Sequence, residues 1–148
     1  MVLLIVIAVV ALMLILLYNG LIRKKNEVDN AFGGMDAQLK KRYDLIPNLV
    51  ATVKQYAAHE KELLEKVTQL RSKAMGGNLS ADDKVDIDNE ISGALRSIMV
   101  AVENYPDLKA SDNFMNLQRT LNEVESQISA ARRAYNAAVT DYNNGIET

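Results

Sequence analysis

Two hydrophobic patterns follow one another along the chain, the first continuous and the second periodic. Val2 to Leu17 (VLLIVIAVVALMLILL) carries no charge, proline or glycine, and Tyr18, Asn19, Gly20, Leu21 and Ile22 extend the uncharged run to about 22 residues. As helix that is about 33 Å, enough to cross a bilayer. Arg23-Lys24-Lys25 ends the run abruptly, with Tyr18 just inside it, where an interfacial aromatic and snorkelling cations belong. A cleavable signal peptide would show a charged n-region, a shorter apolar core and a small-x-small cleavage site, and none of these is present. A buried core helix would need about 20 apolar neighbours, more than the single stripes of the remaining helices supply. The cations flank the C-terminal side, so the positive-inside rule puts Met1 outside and the rest of the chain in the cytoplasm.

From Phe32 the pattern becomes a heptad: Phe32, Met35, Leu39, Arg42, Ile46, Leu49, Val53, Tyr56, Glu60, Leu63, Val67, Leu70 and Ala74, with Arg42 and Glu60 the polar exceptions. No strand keeps that period. The register passes Pro47 without a phase shift, which predicts one long helix, kinked at Pro47 and reaching about Ala74, although the proline removes a backbone hydrogen bond and crowds residue 43. The alternative is a reversal at Leu45-Ile46-Pro47, giving four helices of similar length. Gly33-Gly34 is a second weak point, costing roughly 1 kcal/mol per glycine against alanine.

Gly76-Gly77-Asn78 tolerates the left-handed conformation beyond a helix, and Ser80-Ala81-Asp82-Asp83 has the spacing of a helix start, so a tight reversal is expected there. A second helix follows to about Asn104, its inner face Ile91, Leu95, Ile98 and Val102, and Tyr105-Pro106-Asp107 breaks it. Ser111 is the expected cap of the last helix, whose stripe is Phe114, Leu117, Leu121, Val124, Ile128, Ala131, Tyr135, Ala138 and Tyr142. The fold class is therefore all-α: a transmembrane anchor over 1–22 continuing into an antiparallel bundle of three to four long helices over 23–148.

Lengths add a constraint. A first helix continuous to Ala74 stands about 75 Å from the membrane surface, the second helix is about 37 Å and the third about 50 Å. The partners do not cover the rod, so the stripe Phe32, Met35, Leu39 and Ile46 would face water unless another copy of the chain covers it. That predicts a homo-oligomer, with Arg42 and Glu60 setting its register.

Charge and chemistry narrow the function. A formal charge of −2 opposes nucleic-acid binding, and Arg23-Lys24-Lys25 and Lys40-Lys41-Arg42 are short triplets, the first better suited to anionic lipid headgroups. There is no cysteine, hence no disulfide and no thiolate metal site. The single histidine, His59, precedes Glu60 as in a zinc-protease helix, but Leu63 stands where the second ligand is needed. The acid pairs Asp82-Asp83 and Asp86-Asp88 read as helix-start charges, and Gly76-Gly77 is followed by no Lys-Ser or Lys-Thr. No cofactor, metal or catalytic residue is expected. Arg132, Arg133, Asn136 and Asn143 form a candidate partner face, beside Tyr135 and Tyr142, which close a helix interface.

Several ungapped blocks together resemble the LemA family over nearly the whole chain: the anchor ending in Tyr18-Asn19-Gly20-Leu21, then Gln38-Leu39-Lys40-Lys41-Arg42-Tyr43-Asp44-Leu45-Ile46-Pro47-Asn48-Leu49-Val50, Tyr56-Ala57-Ala58-His59-Glu60, Glu103-Asn104-Tyr105-Pro106-Asp107-Leu108-Lys109-Ala110, and Ala131-Arg132-Arg133-Ala134-Tyr135-Asn136 through Tyr142-Asn143. The resemblance implies a single-pass protein of a bacterial inner membrane, N-terminus outside and helical domain cytoplasmic, with no established activity and a link to membrane proteostasis and neighbouring membrane proteases. The sequence departs from the family at Gly33-Gly34, where a more helix-friendly pair is expected, and at Thr148, where members usually continue into a Pro-containing apolar tail. The expected function is a non-enzymatic membrane scaffold. It self-associates through Phe32, Met35, Leu39, Arg42, Ile46 and Glu60, meets the membrane interface at Tyr18, Arg23, Lys24 and Lys25, and presents a helical face to partners. The alternative is an adaptor or regulator of a membrane protease or envelope-stress sensor.

Overall fold

A computed structural model of the chain describes residues 1–77, 79 and 81–147, with backbone alone at Ala81 and Asp82. Asn78 and Ser80 of the expected reversal, and the Asp82 side chain, lie outside the described residues. Among those described there is helix and no strand: α1 (Val2–Tyr56), a 3-10 turn (Ala58–Glu60), α2 (Lys61–Met75), α3 (Ala81–Val102), a short α4 (Pro106–Lys109) and α5 (Asp112–Glu147). Lys40–Glu125 forms one compact unit, and Met1–Leu39 with Ser126–Thr148 forms a second.

Two expectations about the first helix are corrected. Pro47 lies inside α1 and reverses nothing, so the division at Leu45-Ile46-Pro47 is not found. Nor does the helix run to Ala74, because it ends at Tyr56. Ala57 takes φ −127° and ψ 60°, outside helical geometry, and the 3-10 turn leads into α2. Arg71 of α2 then donates from Nε to the carbonyl of Tyr43 at 2.8 Å. Two residues so far apart in sequence meet only if α2 runs back along α1. That carbonyl is the one Pro47, lacking an N–H, leaves without its helical donor, so Arg71 supplies the missing bond and the proline is tolerated in mid-helix.

The core of the Lys40–Glu125 unit follows from these turns. Ile46, Leu49 and Val53 of α1 pack with Ala57, with Leu64, Val67 and Leu70 of α2, with Ile91, Ala94, Leu95, Ile98 and Val102 of α3, with Leu108 of α4, and with Phe114 and Leu121 of α5. The inner face expected of α3 is buried at every position. Near the break the heptad fails: Tyr56 is 44% exposed while Ala57 is fully buried, and Leu64 takes the inward place given to Leu63, which is only partly covered. The cause is the loss of helical phase at Ala57. Successive 3-10 bonds close α3, from the amides of Glu103, Asn104 and Tyr105 to the carbonyls of Val100, Ala101 and Val102. Tyr105 is pushed out of helical geometry (φ −125°, ψ 82°) before Pro106, which opens α4 where its missing N–H costs nothing. Ser111 accepts the Phe114 amide at its Oγ, 3.4 Å, as the cap of α5.

In the second unit the opening of α1 is long and apolar enough to cross a membrane, with mean hydropathy 3.0 over its most apolar stretch, none of it buried. Past that stretch the far half of α5 lies against α1. Tyr135 and Phe32 meet with ring centroids 5.8 Å apart at 58°, and Lys24 bonds Asp141. Met35 and Leu39 are half-buried and Ile128 is buried. Within this unit the stripe predicted to face water is partly covered, with Phe32 exposed at the edge of its contact with Tyr135 of α5.

Candidate functional site

Among the described residues Arg42, which the heptad places on the inward face of α1, is the one charged group buried completely. Its Nη1 donates to Ser92 Oγ at 2.9 Å and to Glu125 Oε2 at 3.0 Å, and its Nη2 pairs with the Asp88 carboxylate and reaches the Asp88 carbonyl at 3.4 Å. Ser92 Oγ donates in turn to that carbonyl at 3.0 Å, and the Tyr43 hydroxyl donates to Asp88 Oδ1 at 3.3 Å. Asp88 is 2% exposed, while the Glu125 side chain is half in water. The Arg42 charge is thus met inside the protein by one carboxylate and at its edge by another, across α1, α3 and α5. Of its nitrogens, Nε alone has no partner among the described residues. A buried guanidinium neutralised this way fixes helix register, because a slip of either partner strands a charge in a low-dielectric core.

Asp88 corrects an expectation. It is no helix-start charge, since α3 begins at Ala81 and Asp88 lies in its second turn, buried, whereas Asp86 is exposed. A signal was present: Asp88, Ile91, Leu95, Ile98 and Val102 keep alternating steps of three and four, which puts the acid on the core face.

The second polar oddity, Glu60, is half-buried in the 3-10 turn and accepts the Tyr105 hydroxyl at 3.1 Å. Partial burial, then the hydrogen bond to Glu60 and its negative charge, push the Tyr105 hydroxyl above its usual pKa of 10. The contact ties the α1–α2 reversal to the α3–α4 turn. His59 beside it is exposed, and no group of three or more metal-ligating side chains occurs among the described residues.

The expected contact residues divide by environment. Arg42 and Ile46 are enclosed by this chain's own helices, and Glu60 is half-buried and engaged by Tyr105. Phe32 is 42% exposed at the edge of its contact with Tyr135. Tyr18, Arg23 and Lys25 are exposed, but Lys24 is half-buried, donating to the Asp141 carboxylate and carbonyl at 3.2 Å each. On α5, Arg133, Asn136 and Asn143 are exposed and Arg132 is half-buried, with Tyr135 and Tyr142 turned partly inward.

Sequence reasoning missed a groove of about 380 Å³ along the seam of α1 and α2, with Val50, Ala57 and Leu64 at its floor and Lys54, Lys61, Glu65, Thr68 and Gln69 around it. It exists because Ala57 and Ala58 are small where the chain reverses. Its only advance sign was that alanine pair.

A family model described as LemA family matches residues 31–148. Protein LemA of Metamycoplasma hominis is 31% identical, the match covering 88% of this chain and 59% of that protein. A magnetosome protein MamQ of Paramagnetospirillum magneticum is 26% identical over 93% of this chain and 61% of its own length. The magnetosome protein MamQ of Magnetospirillum gryphiswaldense is 21% identical, with 90% and 58% covered. The chain spans about three fifths of the length of these curated relatives.

Proposed function

The chain belongs to the LemA family, and we propose that it is a non-enzymatic scaffold, held in a bilayer by the opening of α1 and presenting a helical surface to partner proteins. The observation that carries this reading is the composition of α1. One helix begins as an exposed apolar segment of bilayer length and ends as a core wall of the Lys40–Glu125 unit, locked there by Arg42. Residues 23–148 are read as an up-and-down helical bundle on that anchor, facing the cytoplasm of a bacterial cell.

The partner surface is the α1–α2 groove, whose apolar floor and flanking lysines suit an amphipathic helix. Pairing of copies, expected from an uncovered stripe, loses part of that basis where Met35 and Leu39 are half-buried within the chain itself. A second copy would meet the first through the lipid-facing helix and the Phe32 edge. Photocrosslinking from Gln69 in intact cells tests the reading and separates two forms of it. Adducts between copies from a second probe at Phe32 support a self-assembling scaffold, an adduct from Gln69 with another membrane protein supports the adaptor, and no adduct from Gln69 while Arg133 gives one moves the partner face to α5.

A further inference from the structure

We infer that the last turn of α5 is a second membrane contact, seated in the headgroup region beside the point where α1 leaves the bilayer, with Ile146 as its apolar foot. Within the unit that holds both segments, α5 runs against α1 in the opposite direction: Tyr135 meets Phe32 in a tilted ring contact, and six residues later Asp141 holds Lys24. Gly145 sits directly against the Lys24 stem, since a Cβ there would lie 3.1 Å from Lys24 Cδ. The path then continues past the cationic triplet toward the apolar run.

Exposure along α1 marks how far α5 reaches. Leu17 is 61% exposed, yet Leu21, one turn later on the same face, is half-buried together with Gly20. A helix does not shield its own surface leucine in this way, and α5 is the neighbouring element in that unit. Its final turn therefore overlaps the end of the uncharged run. A segment abreast of that level lies at the lipid interface, where apolar side chains enter and polar groups stay with the headgroups. Ile146 is 56% exposed there. Lys24 and Asp141 neutralise one another at the same level, which lets the carboxylate approach an anionic surface.

The inference rests on the anchoring reading, and the test keeps the two apart. The chain contains no tryptophan, so I146W, L12W and M115W each carry a single fluorophore. Each full-length variant is reconstituted in phosphatidylcholine–phosphatidylglycerol vesicles containing lipid brominated either high or low on the acyl chain. I146W is expected to be quenched about twofold more by the high than by the low bromines, L12W the reverse, and M115W by neither. Quenching of L12W with I146W behaving like M115W overturns the second contact and leaves the anchor standing. An unquenched L12W overturns both.

Discussion

Arg71 Nε donates to the carbonyl of Tyr43 at 2.8 Å, across the hairpin of α1 and α2. Because Pro47 cannot donate to that carbonyl, the arginine replaces a bond the helix itself lacks. Removing Arg71 should therefore cost more than a half-buried arginine ordinarily would, about 1–3 kcal/mol for the acceptor left behind. Pro47→Ala restores the helical donor, so Arg71→Ala should cost less in that background. Melting of the four proteins in detergent, followed by helicity, gives the coupling. Strictly additive losses would remove the proposed link.

Arg42 and Asp88 form the pair whose separation should hurt most. Arg42→Ala leaves the Asp88 carboxylate buried without its counter-charge, an expected loss of about 3–5 kcal/mol. Replacing both, Arg42→Met with Asp88→Leu, should recover much of it. Glu125→Gln should cost less than about 1 kcal/mol, since that side chain is half in water. Chemical denaturation of these variants orders the terms, and a Glu125→Gln loss as large as that of Arg42→Ala would show that the edge carboxylate carries the pairing.

Tyr105 predicts a dependence on alkaline pH. Its hydroxyl pKa is raised in the folded chain above the ordinary value of 10, so folding favours the neutral form. The resulting contribution is fully present below about pH 10 and is lost as pH rises through the folded pKa. Wild-type stability should fall across that window more steeply than that of Tyr105→Phe, and Glu60→Gln should reduce the difference. Parallel pH profiles for wild type and Tyr105→Phe would contradict it.

Phe32 and Leu39 separate cover by α5 from cover by another copy. Changed to Asp, both are expected to loosen the far half of α5, seen as new proteolytic cleavage after Ser126, without altering the particle mass in mild detergent. A fall in mass with α5 still protected would restore the self-association first expected of this stripe.

What the sequence made legible was local. The heptad gave the inward positions of α1, the inner face of α3 and the stripe of α5; Ser111 and Tyr105-Pro106 marked their ends by chemistry confined to a few neighbours. The reversal at Ala57 carried no glycine or proline to announce it. Its non-helical backbone is held by burial of Ala57 and by the Glu60–Tyr105 contact, both of them tertiary. A first helix without that turn would outrun its partners, and the surplus length was what called for a second copy. Arg42 was rightly read as a core-position cation, but its partners lie 46, 50 and 83 residues away, beyond any local pattern.

Whether the chain covers its own anchor helix is decided most directly at Lys24 and Asp141. The protein has no cysteine, so Lys24→Cys with Asp141→Cys can be bridged by a short thiol crosslinker in membranes washed with alkaline carbonate. Efficient bridging is expected, staying in the washed membranes and at the mass of a single chain. Bridging that appears only between two chains, or a protein released by the wash, would contradict it.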